Sequence, residues 1–324
     1  MPLVSTSSYR PPLILPNGHL QTIYPAIFRK VPAVTNKRER IETPDGDFLD
    51  LDWKHNNSSK RLVILSHGLE GNSHQSYVQG MARVFSNAGW NILAWNYRGC
   101  SGEMNRYVRS YHSGATEDLD TVLEHVYENY PFTDISLIGF SLGGNMTLKY
   151  LGERHDSTDD RLKSAATFSV PCDLESSSIR LESLANRIYM ERFLKTLRKK
   201  IRHKMEAFPG QLEDKDLDCM KTFREFDGGY TAPMHGFSSA EDYWTRSSSR
   251  PFIPRIRIPT LLVNALNDPF LAPACFPYQE AQANDFFFFE TPKHGGHMGF
   301  SSFNKQNYWS EKRALEFLRT LSKE

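Results

Sequence analysis

Along most of the chain, short unbroken apolar runs alternate with longer stretches in which apolar residues return every three or four positions. The runs "LVIL" (62–65), "ILAW" (92–95), "LLV" (261–263) and "FFFF" (286–289) lack a regular polar alternation. Each therefore predicts a strand covered on both faces. "ISLI" (135–138) and "LKSAATFSV" (162–170) are further predicted strands. Between the runs, helices are predicted near 76–88 and over 115–130, where Leu119, Val122, Val126 and Tyr130 recur at helical spacing. Further helices are predicted at "NMTLKYLGE" and, to close the chain, "YWSEKRALEFLRTL". "RERIETPDGDFLDLDW" predicts an antiparallel hairpin turning at Asp45-Gly46. Strands alternating with helices define an α/β protein with a mainly parallel sheet. From 172 to 250 the rhythm lapses into helical and loop-like sequence, and a strand resumes at 259. That stretch is expected to be a helical insertion within a single domain spanning 1–324.

Composition narrows the function classes. The net charge of +1 lacks the basic excess of a nucleic-acid binder. No run approaches the ~18 apolar residues of a membrane span. Prolines interrupt "MPLVSTSSYRPPLILPNGHLQ" where a signal peptide needs a continuous apolar core. Cys100, Cys172, Cys219 and Cys275 lie far apart with no C-x-x-C spacing, the pattern of reduced thiols in a cytoplasmic protein.

The candidate chemistry begins at "GFSLGG" (139–144), a G-x-S-x-G sequence between a predicted strand and a predicted helix. In that setting the glycines permit a tight turn that raises Ser141 above the sheet as a nucleophile. A serine hydroxyl needs a base, and the base needs a carboxylate to hold its tautomer. Past the strand "LLV", the sequence "NALNDPF" offers Asp268 as the acid; Glu280 and Asp285 are weaker candidates, in a helix and at a strand start. In "PKHGGHMGF", His297 is the expected base, because Gly295, Gly296 and Gly299 leave its loop free to turn inward. His294 is expected to be scaffold. The two histidines lack the further ligands a metal site needs, so neither a metal nor a cofactor is expected. The loop "SHGLEGN" offers the N–H of Leu69 as one oxyanion donor, and Leu142 after the nucleophile offers the second. His67 in that loop is expected to be structural.

HGLEG, NYRGCSG, GFSLGGN, NALNDP and HGGHMGF occur in an order and spacing that resembles the α/β-hydrolases, more narrowly their YheT-like branch, which is related to animal abhydrolase-domain lipases and esterases. "NGHLQTIYP" and "YTAPMHGFSSAEDYW" are similar to segments of that branch too. The resemblance implies an α/β-hydrolase fold, with an eight-stranded mostly parallel sheet and a helical cap. It also implies hydrolysis of carboxylic esters, with a small-molecule ester or lipid as substrate. An acyltransferase using the same acyl-enzyme is the alternative, followed by a non-catalytic ligand-binding protein of the same fold. The H-x-x-x-x-D acyltransferase pattern credited to some relatives fits only His155 and Asp160, in the polar segment "ERHDSTDD". In the cap, "RIYMERFLKTLRKKIRHKM" has an apolar stripe opposite Arg192, Lys195, Arg198, Lys199, Lys200, Arg202 and Lys204. The stripe is expected to cover the active site with the charges in water. Contact of this basic helix with a membrane surface is the rival reading.

Overall fold

The computed structural model describes residues 3–4, 6–303 and 306–321. Its strands are β1 (Leu3–Val4), β2 (Lys37–Glu42), β3 (Phe48–Lys54), β4 (Arg61–Ser66), β5 (Asn91–Asn96), β6 (Asp134–Phe140), β7 (Leu162–Phe168), β8 (Thr260–Val263) and β9 (Phe287–Glu290). They form one sheet in the order β1-β9-β8-β7-β6-β4-β5-β3-β2. β3 runs antiparallel to both its neighbours, and every other pairing is parallel. The sheet thus has nine strands where eight were expected. The addition is the two-residue β1 beside β9, too short to leave a periodic signal.

The apolar runs have the predicted explanation. In β4, Leu62 and Ile64 enter the core on one face of the sheet, while Val63 and Leu65 enter the core on the other. Helices Thr116–Asn129 and Leu142–Glu153 cover the first face through Leu119, Val122, Val126, Met146 and Leu151. Helices Ser76–Asn87 and Trp309–Leu321 cover the second through Met81, Phe85, Ala314 and Leu318. Each fully buried Leu, Val, Ile or Phe contributes about 1.5–3 kcal/mol. The β2–β3 hairpin turns at Asp45-Gly46, with Gly46 at φ +81°. It is clamped by the cross-strand pairs Arg38–Asp52 and Arg40–Asp50.

Between β7 and β8 the chain is helical and contributes no strand. Helices Leu174–Leu181, Arg187–Ala207 and Ala240–Ser247 dominate this segment. Tyr189, Met190, Leu194 and Ile201 of the long helix pack against Leu217 and Tyr230 of the same segment and against Phe270, which follows β8. Asn145 ties the segment's end to helix Leu142–Glu153: its amide donates to the carbonyls of Ser113 and Ser247 and accepts from the Ser249 N–H. No helix among the described residues is long and apolar enough to cross a membrane.

Candidate active site

Ser141 stands between β6 and helix Leu142–Glu153 with φ 51° and ψ −117°, a left-handed conformation rare for a residue with a side chain. Its neighbours make room for that turn. A Cβ on Gly143 would come 2.5 Å from the carbonyl oxygens of Ser66 and His67, and one on Gly139 would come 2.5 Å from Gly143 O. The glycines serve close approach, while the serine itself carries the unusual backbone angle.

Asp268 follows β8 in a turn closed by its own N–H to Ala265 O, and its Oδ1 accepts from Phe270 N. His297 lies in the loop after β9, beyond Gly295 and Gly296, both at positive φ. The three residues meet. His297 Nδ1 lies 2.9 Å from Asp268 Oδ2 and 3.2 Å from Oδ1, and its Nε2 lies 3.0 Å from Ser141 Oγ. Asp268 and His297 are buried, and the Phe270 ring packs 4.1 Å from the imidazole. With the proton on Nδ1, the ring donates to the carboxylate and accepts from the serine hydroxyl.

Leu69 and Leu142 line the same cavity as Ser141 and His297. Neither backbone N–H has a protein acceptor among the described residues. Glu70, next to Leu69, has φ 55°, and it exchanges two hydrogen bonds with Tyr111, whose hydroxyl accepts from Glu70 N and donates to Oε1. His67 is fully buried and burial pushes its pKa down to about 3. It accepts from Tyr97 N and contacts Gly68 O, so it shapes the loop.

The other candidates lie elsewhere. Glu280 pairs with Arg250, and Asp285 is exposed at the entry to β9. His294 contacts Asn267. His155 contacts Asp156 rather than Asp160, at the end of helix Leu142–Glu153 remote from Ser141. Among the described residues no group of three or more His, Cys, Asp or Glu side chains could hold a metal ion. The cysteines are free, with Cys100, Cys172 and Cys275 buried and Cys219 exposed.

The charges of the long helix Arg187–Ala207 do not all face water. Lys200 and Lys204 turn inward and line the cavity. Lys200 Nζ reaches Glu70 Oε1 at 2.8 Å and Cys100 Sγ at 3.1 Å. Burial opposes its charge, but Cys100 and Glu70 hold its pKa above the ordinary lysine value. Lys204 donates to Asn105 Oδ1 and Tyr107 O. The apolar stripe faces inward: Leu194 and Ile201 are buried, and Phe193, Leu197 and Ile201 line the cavity.

One support escaped the sequence reading. Helix Gly18–Phe28 is capped by Asn17 and packs against the His297 loop. Thr22 Oγ1 accepts from His297 N at 2.8 Å, and Gln21 Oε1 accepts from Gly295 N at 2.7 Å and from Asn267 Nδ2 at 3.0 Å. Asn267 Oδ1 accepts from Gly296 N. These polar side chains fix the loops on both sides of the Asp268–His297 contact. The available signal was "NGHLQT", polar residues at helical spacing behind an N-cap.

The family described as alpha/beta hydrolase fold matches residues 61–302. The Escherichia coli (strain K12) protein YheT, named an esterase, is 34% identical over 98% of this chain and 94% of its own length. The chain belongs to the α/β-hydrolases. Within them it falls in the branch of YheT and of the Homo sapiens phospholipase ABHD3, to which this hydrolase is 32% identical over 92% of its chain and 74% of that protein. A Saccharomyces cerevisiae monoacylglycerol lipase is 27% identical over 87% of the hydrolase and 63% of its own length. An esterase of Pyrococcus furiosus, Pf2001, superposes over 92% of the hydrolase and 98% of its own chain with TM-score 0.60. At 17% identity that likeness establishes the fold alone.

Proposed function

We propose that this α/β-hydrolase is a carboxylic ester hydrolase that works through an acyl-enzyme on Ser141. His297 Nε2 takes the hydroxyl proton as Oγ attacks the ester carbonyl, and Asp268 stabilises the imidazolium that forms. The N–H groups of Leu69 and Leu142 receive the oxyanion, and the helix starting at Leu142 adds the favourable end of its dipole. The same proton then passes to the leaving alcohol. In the second half, His297 activates a water that attacks the acyl carbonyl, and collapse of that intermediate returns the proton to Ser141. The observation that carries this reading is the unbroken contact chain from Asp268 through His297 to Ser141, with both ring nitrogens engaged.

The substrate is an ester with a hydrophobic portion. Leu181, Phe193, Leu197, Ile201 and Phe226 face the cavity from the helical segment, giving an apolar wall suited to an acyl chain or lipid alcohol. The names of the relatives, esterase, phospholipase and monoacylglycerol lipase, point to the same substrate class. In this reading 172–250 is a cap on a single domain spanning 1–324.

The test is hydrolysis of p-nitrophenyl butyrate. Ser141→Ala should lower kcat by about 10⁴-fold or more while the thermal melt still shows a folded protein. Wild-type turnover in that variant would reject Ser141 as nucleophile. Adding a primary alcohol and measuring ester against free acid separates hydrolysis from acyl transfer; free acid should dominate.

A further inference from the structure

Helix Gly18–Phe28 is amphipathic in the reverse of the usual sense. Its inward face is Gly18, Gln21, Thr22 and Pro25, and the two polar side chains there hold the His297 loop. Its outward face is Leu20, Tyr24, Ile27 and Phe28, one side of a 3.6-residue period. Ile27 is 60% exposed and Phe28 65%. Just ahead of the helix, Leu13 is 97% and Ile14 70% exposed. That segment is tied to the helix by Gln21 Nε2 donating to Leu15 O. His19 bonds and stacks with Tyr189 of the long cap helix, whose neighbour Ile188 is also exposed. Scattered apolar residues on a surface need no explanation, but a contiguous set on one element does.

The charge around this face is one-sided. Residues 1–38 contain no Asp or Glu. Arg10, Lys30 and Arg187 are exposed and pair with no carboxylate among the described residues.

We infer that the outward face of helix Gly18–Phe28, together with Leu13 and Ile14, docks onto a lipid bilayer carrying anionic headgroups. The apolar side chains enter the boundary between headgroups and acyl chains, and the basic residues meet lipid phosphates. A protein partner would have to present acids to Arg10, Lys30 and Arg187 individually, whereas an anionic bilayer supplies phosphates to all of them. This surface is distinct from the basic helix of the cap, whose apolar stripe faces inward to the core and the cavity. It also puts the bilayer against the element that supports His297. The inference is independent of the chemistry assigned to Ser141.

The experiment is co-sedimentation of the full chain with vesicles of phosphatidylcholine alone and of phosphatidylcholine with phosphatidylglycerol, at low and high salt. The chain should partition onto the anionic vesicles, more weakly at high salt. Ile27→Asp combined with Phe28→Asp should reduce that partitioning about tenfold or more. Neither residue belongs to the catalytic machinery, so turnover of a soluble ester should stay at the wild-type value, and the thermal melt reports folding separately. No partitioning onto either vesicle, equal partitioning onto both, or undiminished binding by the double variant would overturn the inference. A concentration-dependent dimer that the double variant makes monomeric, without vesicle binding, would overturn it too, by assigning the face to a second copy of this chain.

Discussion

Ser141 holds a left-handed backbone that costs on the order of 1–3 kcal/mol, and the structure around it accommodates no bulk at Gly143. Gly143→Ala should therefore destabilise the fold and displace Ser141 together; an active, equally stable variant would show that the turn has more room than these distances allow. On the other side of the site, Thr22 reaches His297 only through the backbone N–H. Thr22→Val keeps the shape and removes the acceptor, so it leaves a buried donor unsatisfied at a cost of about 1–3 kcal/mol. Its kcat on a soluble ester should fall about tenfold with KM nearly unchanged. A change in KM alone would make Thr22 a binding residue and not a support for His297. The glycines of the two loops were legible in the sequence because strand ends and helix starts frame them. Thr22 and Gln21 were not, since nothing local marks a polar residue as the acceptor for a loop 274 residues away in the case of Gln21.

At the scale of elements, helix Arg187–Ala207 and the loop after β4 are joined through Lys200 and Glu70. Removing one partner of such a shielded pair strands the other charge, which costs more than removing both. Lys200→Met should therefore destabilise more than Lys200→Met combined with Glu70→Gln, as read from thermal melts of the full cycle; additive losses would mean the pair is uncoupled. Asp227, in the segment between β7 and β8, pairs with no cation among the described residues and is held by Thr231 Oγ1 and Trp244 Nε1. Burial raises its pKa from 3.8 to about 6 despite those bonds. With the folded value above the unfolded one, the protonated group costs nothing at low pH, and a penalty grows as pH rises through about 6. Asp227→Asn should stabilise the protein at pH 8 by about 1–3 kcal/mol and give no gain near pH 4. A gain of equal size at both pH values would assign it to packing. The strands and the long cap helix could be read from their periodicity. The inward turn of Lys200 and Lys204 could not, because lysines beside an apolar stripe default to water and only the folded cap supplies them with Glu70, Asn105 and the Tyr107 carbonyl. Helix Gly18–Phe28 stayed hidden for a related reason: its polar side faces in, its apolar side faces out, and Pro25 interrupts it.

Across the whole molecule, the site is assembled from segments distant in sequence, and the first thirty residues brace the loops that carry Asp268 and His297. The order of Ser141, Asp268 and His297 along the chain was readable because each follows its own strand in a sheet whose parallel order brings those strand ends to one edge. The N-terminal brace was not, since its contacts close only when the two ends of the chain meet. Deleting residues 1–30 removes none of Ser141, Asp268, His297, Leu69 or Leu142, yet should abolish ester hydrolysis; a truncated chain with full kcat would show that the His297 loop stands without its brace. The most direct test of the central claim is peptide mapping after reaction with a fluorophosphonate. The adduct should sit on Ser141 in the wild type and in His294→Ala, and be lost in His297→Ala. An adduct on any other serine, or one that survives His297→Ala and vanishes in His294→Ala, would contradict it.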